Sequence, residues 1–299
     1  MTLPVILLLA AASALYVARG VVGVLELLGR GRLSAWGRPL VAGALAFHLA
    51  FLAVRAIECG GIPACTRLDS VALFLWLTAV AFVASARPYG IQAVAPFFWP
   101  CFAAGMLASW ALAGRAPGEP SAFGKLWLTL HLAPVYIGYA GFAVAAGAGV
   151  AYLVQERLLR RKGAPALWRR LPSLETLQRV DWAALSLGYP VLTVGLVAGF
   201  IWAYQSTSPL GQAWYADPKV LGGVVVWLFY TAVLHLRLFL RLQGRRAAAL
   251  TLVGFLLTLL SFGTSHLYGD GGRQGSHLHL AHSRHVRNEN VTPRPEARP

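Results

Sequence analysis

The chain has 299 residues, of which 57% are hydrophobic and only 12% charged, and its mean hydropathy is +0.60. A soluble domain carries about twice that charged fraction, so the composition excludes one and points to an integral membrane protein with little mass in water. The formal charge of +15 comes mostly from arginines at the ends of apolar segments, the pattern of loops held at an anionic inner leaflet and not of nucleic-acid binding.

About 20 apolar residues cross a hydrocarbon core of about 30 Å. Eight such spans run over 3–28, 38–57, 70–86, 91–113, 125–156, 182–204, 220–241 and 247–268. The expected fold is therefore an all-α integral membrane protein, a polytopic bundle of about eight transmembrane helices over residues 1–268. Residues 269–299 form a polar tail expected to be disordered. No basic residue precedes the first span, so it reads as a retained helix and not as a signal peptide. Three basic loops follow spans 1, 5 and 7: Arg30, Arg32 and Arg38; Arg157, Arg160, Arg161, Lys162, Arg169 and Arg170; Arg241, Arg245 and Arg246. All fall on one side, the cytoplasmic one, if the chain begins outside. The arginines of the tail disagree, since the same count puts the tail outside; a miscounted span would remove the conflict.

Glu26 closes span 1 at the inner interface. Span 2 carries His48, either a functional group or a neutral histidine bonded to a neighbouring helix, and ends in Arg55 and Glu58, three apart and able to pair. Cys59 and Cys65 flank a Gly/Pro loop on the outer side, where a structural disulfide fits better than a redox-active pair. Cys101 in span 4 reads as a small packing residue. His131 lies about 9 Å inside the outer end of span 5. Leu174, Leu177 and Val180, after a Ser173 cap, suggest a short amphipathic helix on the inner surface. Gly195 and Gly199 form a small-residue packing pattern in span 6.

The outer loop between spans 6 and 7 places Trp214, Tyr215, Asp217, Pro218 and Lys219 together, as an aromatic belt with a local ion pair or as a site. His235 lies sixteen residues beyond Lys219, about 24 Å along a helix and close to the inner face, with Trp227, Tyr230 and Leu234 on related positions. His266 and Tyr268 end span 8 at the outer face. The tail adds His277, His279, His282 and His285, which are solvated or bind a metal. Two neutral imidazoles from separate helices, His131 and His266, suit the axial positions of a haem iron. The Trp214–Asp217 shelf between them suits a flat porphyrin, and Lys219 its propionates.

From about Leu171 to Gly269 the chain resembles the cytochrome c assembly family, membrane haem-handling proteins of CcsA, CcmC and HemX type. The matching runs are LPSLETL, GYPVLTVGLVAGFIWA, the G-x-x-W-x-x-D-P-K of Gly211 to Lys219, WLFYTAVLHLR, GRRAAALTLVGF and HLYG. The eight-span plan and the QER of Gln155 to Arg157 look closest to the HemX-like branch, and the family-like core is expected over 125–268. The resemblance implies haem, as haem b in transit, held outside between His131 and His266 against Trp214, Asp217, Lys219 and Tyr268. It gives His235 a part in haem passage from the inner side. It implies apocytochrome c and other cytochrome c assembly subunits as partners, membrane lipid as surroundings, and the bacterial inner membrane as location, with the Trp214–Lys219 loop outward. No catalytic residue is assigned. Pro209–Leu210 stand where the family often has another Trp, and Val220 where an acidic residue often follows the Lys. Two other readings remain: a HemX-like regulatory or scaffold protein acting through its basic loop, and a proton or metal transporter using intramembrane histidines.

Overall fold

The computed structural model describes residues 2–28, 31–86, 88–89, 91–112, 122–161, 172–205, 215 and 218–262. Among these residues eight α-helices follow one another: α1 (Leu3–Leu27), α2 (Gly37–Cys59), α3 (Arg67–Ala86), α4 (Ala95–Ser109), α5 (Ala122–Arg161), α6 (Leu174–Gln205), α7 (Pro218–Phe239) and α8 (Arg245–Phe262). There is no strand among the described residues. Seven of the helices are long and apolar enough to cross a membrane, and α4 is the exception. Its 15 residues rise only about 22 Å. The segment expected as a single span is a composite, with 3-10 turns at Ile91–Val94 and Trp110–Leu112 on either side of α4. Pro100 lies inside α4, which continues past it to Ser109. Pro100 has no N–H for the carbonyl of Pro96, so the regular ladder is interrupted within its first turns.

Cross-helix contacts fix the direction of each element. On α1, Gly20 and Gly23 face Pro100 and Pro96, and Ser13 accepts a 3.1 Å hydrogen bond from the Trp110 indole, so α4 runs antiparallel to α1. The Arg19 side chain on α1 lies against Gly37, and Tyr16 meets His48, so α2 does the same. Gly138 and Gly141 of α5 meet Gly188 of α6, and Gly222 of α7 meets Ser261 of α8. The helices alternate throughout. One end of the bundle gathers the starts of α3, α5 and α7 and the Cys59–Cys65 disulfide. The other gathers Arg38, Arg157, Arg160, Arg241, Arg245 and Arg246. We call them the disulfide end and the arginine end. Since α8 begins at the arginine end, it finishes at the disulfide end.

Two apolar cores share α5. One joins α1 to α4 around Tyr16, Phe51, Trp99 and Met106 and extends to Ala148 and Tyr152 of α5. The other lies between α5, α6 and α7, where Phe142 stacks on Tyr230 with ring centroids 3.8 Å apart. The α2–α3 hairpin is stapled three ways. Cys59 is bonded to Cys65. Arg55 grips Asp69 with Nε and Nη2, each at 2.7 Å, and also pairs with Glu58. Thr66 and Asp69 bond reciprocally to each other's backbone N–H, a capping box that starts α3. The Arg55–Glu58 pairing read from sequence is present, but the fully buried Asp69 is the stronger partner.

Two expectations are corrected here. The amphipathic surface helix does not exist as a separate element. Ser173 does cap a helix, through a 3.2 Å bond from the Thr176 N–H, but that helix is α6 itself, running unbroken for 32 residues. Leu177 and Val180 are buried in the protein core and do not face the membrane surface. The stripe was real; its partner is protein and not lipid headgroups. Cys101 is exposed on the outside of α4 and packs nothing inside.

The α5–α6 contact is close. A Cβ on Gly138 would stand 2.9 Å from the Leu192 Cβ and 3.0 Å from the Gly188 carbonyl oxygen. Backbone meets backbone, which only small residues permit. Gly138→Ala is therefore expected to destabilise the protein by about 1–3 kcal/mol through overpacking. Thermal denaturation in detergent, beside Gly147→Ala where a Cβ would meet nothing within 4 Å, measures it.

Candidate functional site

His131 is in the third turn of α5, towards the disulfide end. Its Nδ1 is 2.7 Å from the carbonyl oxygen of Gly195 on α6. A carbonyl only accepts, so Nδ1 carries the proton and donates it. The ring is then neutral with its lone pair on Nε2, the tautomer required of a metal ligand. Donation to a carbonyl also fixes the ring's orientation. The half-buried imidazole is thus held by its Nδ1–Cε1 edge against α6.

The other expected residues divide. Trp214, Asp217, His266 and Tyr268 lie outside the described residues, as do the histidines of the tail. Lys219 stands in the first turn of α7. The second turn of α7 and the last turn of α8 are close together, because a Cβ on Gly222 would lie 2.6 Å from the Ser261 Oγ. Phe262 at the end of α8 packs on Phe74 of α3 and on Tyr136 of α5, with centroids 5.7 and 5.8 Å apart. Tyr136 is five residues beyond His131, so Phe262 meets α5 at the same end of the bundle but about 140° round the helix from the face that His131 turns to α6.

His235 is separate from His131. It follows Lys219 on one continuous helix, at the depth expected from the sequence, and its side chain is exposed. Its Nδ1 donates to the Thr231 carbonyl at 2.7 Å, and the ring stacks on Phe239. A polar ladder continues along the α6–α7 face: the Tyr189 hydroxyl meets Thr231 Oγ1 at 2.7 Å, and the Trp227 indole donates to Thr193 Oγ1 at 3.0 Å. Trp227 shares the His235 side of α7. Tyr230 does not; it is fully buried against Phe142. His48 is buried on α2 against α1 and α3, with Tyr16 Oη 3.5 Å from Nδ1 and the backbone of Ala72 nearby.

Two features escaped the sequence reading. The acceptor that sets the His131 tautomer is a main-chain carbonyl, which no residue name reveals. At the arginine end, Asp181 of α6 pairs with Arg237 of α7, and Arg237 also donates to Thr251 of α8 at 3.0 Å. The side chains of Asp181 and Arg237 are only 5% and 6% exposed. Arg19 on α1 is buried too, 3.5 Å from Glu26. An apolar window hides such residues because one charge barely lowers its mean.

Among the described residues no group of three or more His, Cys, Asp or Glu side chains gathers to hold a bare metal ion. A porphyrin iron needs only imidazoles at its axial positions, and the locked Nδ1–H of His131 gives it the right donor nitrogen. The residue present fits that group.

Fold and site together define a polytopic helical membrane protein that presents a neutral imidazole near one end of its bundle. The chain belongs to the cytochrome c assembly protein family, whose model matches residues 44–271. The match reaches upstream to α2, beyond the stretch whose motifs carry the resemblance in sequence. Among similar proteins is the cytochrome c biogenesis protein CcsA of Thermosynechococcus vestitus, 30% identical over 284 residues, covering 80% of this chain and 86% of the relative. The CcsA of Gloeothece citriformis is 26% identical over 288 residues, 80% and 87% of the two chains. That of Nostoc punctiforme is 36% identical over 103 residues, 34% of this chain and 28% of the relative. Family membership places the protein in cytochrome c biogenesis.

Proposed function

We propose that the protein holds haem as cargo at the disulfide end, between His131 and His266, for attachment to apocytochrome c beside other assembly subunits. The observation that carries this reading is the His131 Nδ1–H bond to the Gly195 carbonyl, which leaves Nε2 free to ligate. Reach supports the second ligand: four residues join Phe262 to His266, at most about 13 Å of chain. Phe262 already lies against α5 one and a half turns from His131. Trp214, Asp217, Lys219 and Tyr268 are proposed to line this place. The protein's own share of the work is to fix the imidazole tautomer, shield the site and hold the cargo in register. Haem supplies the group to be attached, and the receiving thiols belong to the partner.

The six helix-end arginines favour the arginine end as cytoplasmic, in a bacterial inner membrane. The disulfide end, with Trp214–Lys219, then faces outward, where a disulfide persists. His235, exposed near the arginine end, suits the passage of haem from the inner side. Relatives named for cytochrome c biogenesis favour this reading over a regulatory scaffold or a transporter.

The test is the visible spectrum of the purified protein after haem reconstitution, wild type beside a His131→Ala, His266→Ala double variant. A bis-histidine Soret band is expected in the wild type and lost in the variant. A wild type that takes up no haem overturns the proposal, and an unchanged variant overturns the site.

A further inference from the structure

We infer that Gly195 and Gly199 of α6 form a local positioning element for His131, one through its carbonyl and the other through the space it leaves, and that this seat sets how well the histidine can ligate. The inference rests on the haem-holding reading and deepens it. The two glycines contribute differently. Gly195 offers its carbonyl oxygen to the ring at 2.7 Å. Gly199 offers the absence of a side chain: a Cβ there would stand 2.5 Å from His131 Nδ1 and 2.6 Å from Cε1. Real Cβ atoms do not come that close, and what they would meet is a ring edge, not the tip of a flexible chain. The imidazole therefore occupies the notch that Gly199 leaves, with its N–H aimed at the carbonyl one turn earlier. A Cβ on Gly195 would also press the α5 backbone, 3.1 Å from the His131 carbonyl oxygen and 2.8 Å from Val135 Cγ2. Every neighbour of Gly199 on that turn carries a side chain, Ala198 before it and Phe200 after it, so only position 199 leaves the ring this room. What reads in sequence as a helix-packing pattern is in the structure a seat for the ligand.

The experiment compares full-length wild type, Gly199→Ala and Gly138→Ala. Gly138 belongs to the same α5–α6 seam but lies seven residues from His131, so it reports packing without touching the ring. Two readouts are taken: the nitrogen NMR signals of 15N-histidine in the haem-free protein, which show the tautomer, and the affinity for added haem. Gly199→Ala is expected to lose the wild-type Nδ1–H signal of His131 and to bind haem about 10–100-fold more weakly. Gly138→Ala is expected to lose thermal stability and keep both readouts. Should Gly199→Ala fold poorly, the same change is made in His131→Ala, where removal of the ring should restore stability. An unchanged tautomer in folded Gly199→Ala, equal changes in Gly138→Ala, or no rescue by His131→Ala overturns the positioning role. A wild type with the Nδ1–H tautomer but no haem uptake instead overturns the reading beneath it.

Discussion

His131→Gly protein is expected to lose more than about 100-fold in haem affinity, and to regain a bis-nitrogen spectrum when imidazole is added. The magnitude follows from the role. Removing an outer partner of a metal-ligating histidine already costs about 10–100-fold, and the ligand itself must count for more. The rescue follows from the seat. With the side chain gone, the Gly195 carbonyl and the notch at Gly199 remain, and free imidazole offers the same N–H and the same lone pair. Titration of haem into the variant, with and without imidazole, checks both. A variant whose spectrum matches the wild type without imidazole would move the ligand elsewhere, and His235, exposed on α7, would be examined next.

Asp181→Ala is expected to cost about 3–5 kcal/mol, because it leaves the Arg237 guanidinium buried without its carboxylate. Thr251 Oγ1 is the only other hydrogen-bond partner seen for that guanidinium among the described residues, and a hydroxyl cannot neutralise a charge. The double change Asp181→Leu, Arg237→Met should recover most of the loss, since it removes both charges and keeps the volume. Denaturation in detergent measures all three proteins. Since the pair is at the arginine end, haem binding by the folded fraction should be unaltered. A single variant as stable as the wild type would show that water or lipid headgroups reach the site.

The helices were legible because a membrane helix is written twice, in apolar length and in the arginines at its ends. Every expected span is matched by a helix, and the one shortfall is α4, where 3-10 turns stand on either side of a 15-residue helix. What faces what was less legible. A helix in lipid is apolar on both sides, so no periodicity separates the buried Tyr230 from the exposed His235. Leu177 and Val180 show the converse error, since a stripe against protein and a stripe against the membrane surface look alike. Of the candidate site, His131 was legible as a lone polar residue in an apolar run. Its acceptor was not, because Gly195 contributes only a carbonyl. Arg55 was paired correctly with its helical neighbour Glu58, whereas Asp69 belongs to the next helix, and proximity across a turn is not visible in spacing.

The glycine seam between α5 and α6 distributes mobility unequally. Where Gly138 and Gly188 touch main chain to main chain, neither helix can slide or roll without atoms colliding, so the two act as one rigid lever. The α6–α7 face is joined differently, by hydroxyl and indole hydrogen bonds such as Tyr189–Thr231 and Trp227–Thr193. Such bonds contribute about 0.6 kcal/mol each inside a membrane and re-form readily. Breathing of the bundle will therefore concentrate on the α6–α7 line, along the side that carries His235, while the histidine seated on the lever keeps its aim.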